Sequence, residues 1–182
     1  MAPRRAAAST AHGSPPYGAT PPIEQRIAAE VAAHGEEQVV TRSVSLLAGN
    51  NEGEEFLLVV GGEHARGILD GAPVLYWPEL WGTRALLYAW HESAEPAVIA
   101  ALGNRSWRVR EMAARVAGLR FVALDDATVL ADDHPRVRAA AARAFAVTAT
   151  DPSPLQALLN DPDIAVRRAA QESIAAIRAR VG

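Results

Sequence analysis

The chain contains no cysteine and no lysine, is poor in aromatic residues at 5%, and nowhere strings together a long apolar run. Without cysteine there is no disulfide, no thiol nucleophile and no thiolate zinc site. A fold stapled for the extracellular space is therefore excluded, and a reducing cytoplasm is the expected location. Without an uninterrupted apolar stretch of about 18 residues, no membrane-spanning helix is expected. All 18 basic residues are arginine. Together with heavy use of Ala, Gly and Pro, that is what a GC-rich coding sequence produces, so the guanidinium groups need no functional demand, although their planar fork suits ion pairs better than an ammonium.

A strong charge of either sign is also missing. The net charge is −3, with 5 Arg against 9 acids in residues 1–76 and 13 Arg against 12 acids in residues 77–182. Affinity for a phosphate backbone comes mainly from neutralising phosphates, so a nearly neutral half-chain argues against nucleic acid unless its arginines segregate to one face. One stretch, "RSWRVREMAARV" (105–116), interleaves a tryptophan with arginines and has the look of such a face. Its meaning depends on what surrounds it.

What is present is helical periodicity and repetition. The opening "MAPRRAAASTAHGSPPYGATPP" lacks the continuous apolar segment of a secretory signal and reads as a disordered tail over 1–22. Residues 23–76 read as a helical capping region. In "PPIEQRIAAEVAAHG", Ile23, Ile27 and Val31 recur at four-residue steps between prolines and a glycine, and "EEQVVTRSVSLLAGN" repeats the pattern with Val40, Val44 and Leu47. "FLLVV" before "GG" fits either a buried strand or a helix; helix is preferred, because its surroundings are helical and no second strand is available to pair with it.

From residue 77 the chain repeats itself. Aligning "LGNRSWRVREMAARVAG", "LADDHPRVRAAAARAFA" and "LNDPDIAVRRAAQESIA" from Leu102, Leu130 and Leu159 gives a period of 28 to 29 residues. Asn104, Asp132 and Asp161 follow two places after the leucine. Val109, Val137 and Val166 come seven places on, followed at once by Arg110, Arg138 and Arg167. Ala113, Ala141 and Ala170 stand four positions after the valines, on the same helix face. "YWPELWGTRALLYAW" reads as a divergent earlier copy, with Trp81 and Arg84 matching Trp107 and Arg110. Apolar segments that open with Pro or Asp, "EPAVIAAL", "DDATVLAD" and "PSPLQALL", precede the leucines as a first helix of each hairpin. About four units result, each an A helix, a tight turn and a B helix, and stacking them buries the faces that neither helix can bury alone.

The Leu-x-Asp, Val-Arg and alanine-rich pattern resembles HEAT-like repeats of the phycobilin lyase type over residues 77–182. The tryptophan-rich block is similar to HEAT-repeat proteins of GC-rich bacteria. The resemblance implies an all-α fold, an α-α superhelix in the form of a short HEAT-like or armadillo-type solenoid. It also implies that Asp132 and Asp161 with Arg84, Arg110, Arg138 and Arg167 form a ladder of charge-assisted hydrogen bonds between neighbouring turns, with Asn104 a neutral substitute.

The remaining arginines and tryptophans stay open to two readings. Arg108, Arg115, Arg136 and Arg143 occupy matching positions in only two of the three units, where the third has Ala165 and Glu172. They are either a solvated helix face, with Glu111 and Arg115 an ordinary i,i+4 pair, or an acidic-partner site on consecutive B helices. Trp81 and Trp107 are either junction filling or binding anchors, and Trp107 is expected to pack against Trp81.

Catalytic patterns are thin. "HESAE" at His91 lacks the second histidine of a zinc helix, and "GGEHARGILDG" has neither a P-loop lysine nor a dinucleotide fingerprint. No metal or cofactor is expected. The expected function is that of a non-enzymatic scaffold holding a protein or peptide. DNA-repair HEAT-like proteins are the alternative, and lyase subunits that handle a linear tetrapyrrole share the repeat without fixing the function.

Overall fold

The computed structural model describes residues 20–73, 78–124 and 127–182. Most of the tail expected over 1–22, together with Tyr76, Trp77, Asp125 and Asp126, lies outside the described residues. Among those described there are nine α-helices, three 3-10 segments and no strand. They are α1 (Ile23–His34), α2 (Glu36–Leu47), α3 (Gly53–Gly61), α4 (Glu63–Leu69), α5 (Pro78–Ala85), α6 (Glu95–Ala101), α7 (Trp107–Arg120), α8 (Pro135–Thr148) and α9 (Ile164–Val181). No helix of the described residues is long and apolar enough to cross a membrane.

"FLLVV" is helical. It forms α3, whose Phe56 and Val60 are fully buried. The following "GG" serves two different ends. Gly61 sits where a Cβ would lie 2.9 Å from the Trp81 ring, and Gly62 adopts φ +60, a backbone region that disfavours side chains, to turn the chain into α4. The apparent strand-turn signal is thus a tight helix-helix corner.

Successive elements pack in chain order. α1 and α2 form a hairpin, α2 and α3 lie on α5, α5 meets α7, α7 meets α8, and α8 meets α9. A single cluster of buried side chains runs through all of them, from Ile27 and Leu46 through Leu86 and Val98 to Leu155 and Ile177. The repeat register behaves uniformly: Val109, Val137 and Val166, and likewise Ala113, Ala141 and Ala170, are all completely buried. Alanine at the second position lets neighbouring helices approach closely. At Gly118 of α7, a Cβ would lie 3.1 Å from Ala144 Cα of α8.

The A segments depart from expectation. Only the first, α6, is an α-helix; Ala127–Ala131 and Ser153–Asn160 are 3-10 segments. Pro152 and Pro154 withhold amide donors at the start of the third one. Leu155 and Leu158 are buried there nonetheless.

The tightest junction is that of α2 with α5. A Cβ at Gly82 would lie 2.5 Å from the Ser43 carbonyl oxygen and 2.9 Å from Leu46 Cβ, a backbone contact that side-chain motion cannot relieve. Gly82→Ala is expected to destabilise the fold by about 1 to 3 kcal/mol, and Gly118→Ala by less. Urea unfolding of the two variants tests this ranking; equal stabilities would contradict the packing described.

Candidate functional site

The turns between A and B segments share one construction. In each, the side-chain oxygen of the residue two after the leucine accepts a backbone N–H two residues on: Asn104 from Ser106, Asp132 from His134 and Asp161 from Asp163, all at 2.8 Å. The arginine after the buried valine then returns to the same turn. Nη1 of Arg110, Arg138 and Arg167 donates to the carbonyls of Asn104, Asp132 and Asp161 at 2.9, 2.7 and 2.6 Å.

The other side of the guanidinium crosses to the next unit. Arg110 Nε and Nη2 donate to the Asp132 carboxylate at 2.6 and 2.8 Å, and Arg138 repeats the fork on Asp161 at 2.7 and 2.9 Å. Bidentate charge-assisted bonds of this kind are strong and direction-specific. The Arg138 bonds hold the Asp161 carboxyl below its ordinary value against its burial. At Asp132 burial is the largest influence and works upward, but the Arg110 bonds and the His134 amide outweigh it, so this carboxyl too is lowered. In return, hydrogen bonding to the carboxylates raises Arg110 and Arg138.

Arg84 does not belong to this row. Its Nη2 donates to the Val60 carbonyl at 2.7 Å, and its Nε meets no acceptor among the described residues. Burial lowers it below the usual arginine value. The position in the following turn that should supply its carboxylate is Asn104, which carries no charge to attract it. Arg26 makes a related contact with the Val59 carbonyl, Arg120 with Leu86 and Leu87, and Arg180 with Ala146 and Ala149. These arginines satisfy carbonyls left over near helix C-termini. Sequence reasoning missed them because a backbone acceptor leaves no mark in the sequence.

The tryptophans separate. Trp81 is only 4% exposed, packed on Gly61, so it cannot anchor a partner. As the first residue of α7, Trp107 faces forward and stacks on His134 of the next turn, with ring centroids 3.8 Å apart and planes 5° from parallel. The Arg108 guanidinium covers the indole at 4.4 Å and that of Arg136 stands at 5.5 Å. His134 also caps α8, its Nδ1 accepting the Arg136 amide. His91 caps the 3-10 turn at Glu92–Ala94 in the same way, which gives "HESAE" a structural role.

Of the four surface arginines, Arg108 is thus committed to Trp107. Arg136 is bound to Glu111 at 3.0 Å. Arg143 lies 4.0 Å from Glu172, both more than half exposed, a contact of little strength. Arg115 has no ion-pair partner among the described residues. Arg115, Arg136 and Arg143 rim a groove of about 530 Å³ across α7, α8 and the start of α9, floored by Ala114, Ala140 and Val147. A second depression shares Leu119, Arg143 and Val147 and extends the surface to Phe121 and Ala176. Leu119 and Phe121 are exposed, Phe121 by 73%. Phe121 also ends α7 with φ +59, the left-handed conformation that normally falls to glycine. Among the described residues, no group of histidines, aspartates and glutamates converges to hold a metal.

No protein-family model matches the chain, and no curated protein matches it either.

Two outcomes follow. An aspartate free in the unfolded chain takes up its proton near pH 4 (~3.9), and the folded Asp132 and Asp161 do so lower. Their contribution is therefore fully present above pH ~4 and disappears as pH falls through the lowered folded values. Urea midpoints measured from about pH 6 to pH 2.5 should drop more steeply for the unmodified chain than for Asp161→Asn; identical profiles would mean that the pair adds nothing. Phe121→Gly, which relieves the left-handed strain and gives up little burial, is expected to stabilise by about 0.5 to 1 kcal/mol in thermal unfolding.

Proposed function

We propose that the chain is a non-enzymatic interaction module, a short solenoid of HEAT-like hairpins that holds an acidic protein or peptide segment along the groove of its B helices. The observation that carries this reading is the pairing of an apolar floor with Arg115 and Arg143, equivalent positions on adjacent helices. An amphipathic segment with carboxylates flanking an apolar stripe complements both features, as in helix-in-groove recognition. The exposed Leu119 and strained Phe121 extend the apolar surface. An aromatic kept exposed in a left-handed conformation costs stability, and such strain is retained at functional sites.

Nucleic acid fits these residues less well. Glu111 neutralises Arg136, and Trp107 is covered by His134 and Arg108. Little positive excess remains for phosphates, and the tryptophan already carries its own stacking partners where a base would stack.

Affinity capture from the native cell, quantified against the Arg115→Glu/Arg143→Glu double variant, tests the proposal. With helicity unchanged by circular dichroism, the double variant should lose its specific partners at least tenfold, and Phe121→Gly should weaken the same ones. Retention of every partner by the double variant would refute the groove as the site. Tight, strongly salt-dependent binding to duplex DNA at low salt would move the reading to nucleic acid.

A further inference from the structure

Among the described residues, one fork of the ladder meets no carboxylate. Arg110 and Arg138 each fix Nη1 on two carbonyls of their own turn, at 2.9 and 3.4 Å and at 2.7 and 3.2 Å. Arg167 repeats the arrangement on Asp161 and Pro162 at 2.6 and 3.1 Å. Because the guanidinium is planar and rigid, two bonds to Nη1 also set the direction of Nε and Nη2. Those are the atoms that grip Asp132 and Asp161 in the preceding rungs, yet no carboxylate of the described residues meets them in Arg167.

The neighbouring position is open as well. In the contact between α7 and the next turn, the first residue of the helix, Trp107, rests on His134, two residues beyond the gripped Asp132. The corresponding first residue of α9 is Ile164, 66% exposed. α9 therefore displays both halves of the contact that joins one unit to the next: a preset fork for a carboxylate, and an apolar seat for the side chain two residues on.

We infer that Arg167 and Ile164 form a docking site for an acidic turn of another polypeptide, an aspartate followed two residues later by a ring or apolar side chain. The repeat turns of a second copy do not supply it. Asp132 and Asp161 are already gripped by their own arginines, and Asn104, the remaining turn residue of the register, is neutral. At the position that holds Ala114 in α7 and Ala142 in α8, α9 carries the larger, polar Gln171, so the recognition is of a turn and its carboxylate. The site uses none of the groove arginines and stands or falls independently of them.

The test is an NMR titration of the ¹⁵N-labelled 182-residue protein, following the arginine Nε–Hε signals at constant ionic strength. The probe is acetyl-Asp-Asp-His-Pro-amide, the turn of residues 132–135, compared with the same peptide carrying Asn first. The Arg167 signal and the Ile164 amide should shift to saturation, with the Asn peptide binding about tenfold more weakly. Arg178, exposed on the same helix, serves as the internal control. Ile164→Ser should weaken the response while leaving the Arg110 and Arg138 signals unmoved. The inference is overturned if Arg167 responds no more than Arg178, if the Asn peptide binds as well as the Asp peptide, or if inorganic phosphate shifts Arg167 as strongly as the peptide does.

Discussion

The rest of the structure depends on one interaction, the arginine that closes its own turn with Nη1 and grips the next turn's aspartate with Nε and Nη2. Packing of small residues brings the B helices together, but alanine surfaces slide easily past one another. A bidentate fork between fixed turns sets the register of that sliding, because both partners are already immobilised by backbone contacts within their own units. Desolvation of the charges is offset by the number of bonds each makes: every carboxylate receives the fork and a backbone amide, and every arginine of the row also serves carbonyls. The gain lies in placement at least as much as in stability.

The placement has consequences for the surface. With the B helices held side by side and Gly118 allowing close approach to Ala144, their outward residues form a common apolar floor on which equivalent arginines from adjacent helices recur. The ladder arginines are consumed by architecture. Arg115 and Arg143 stand outside it, and the proposed acidic partner is assigned to them for that reason. The stack of Arg108, Trp107 and His134 belongs with the ladder, since it joins the same two units one residue layer further out.

The sequence made legible whatever is repeated. Valine, alanine and arginine recur in three units and aspartate in two because the junctions between those units need the same fit, and the helix at "FLLVV" followed from its helical surroundings and the lack of a strand to pair with it. Features used once were harder to see. Arg84 matched the register, but its would-be partner is Asn104, and the difference between a ladder rung and a carbonyl cap lies in that residue rather than in Arg84 itself. Trp107 and Trp81 are both large aromatics in matching positions, yet one stacks on a turn and the other fills a corner made by a glycine. The A segments carry ordinary helix-start signals, yet two of them wind as 3-10 turns, a difference that their first-turn residues do not encode.

A double-mutant cycle on Arg138 and Asp161, each replaced alone and together by alanine, measures the governing interaction most directly. The account predicts a coupling free energy of about 1 to 3 kcal/mol between the two positions in urea unfolding. Additivity to within about 0.3 to 0.5 kcal/mol would show that the fork does not act as a unit and that side-chain packing alone sets the register.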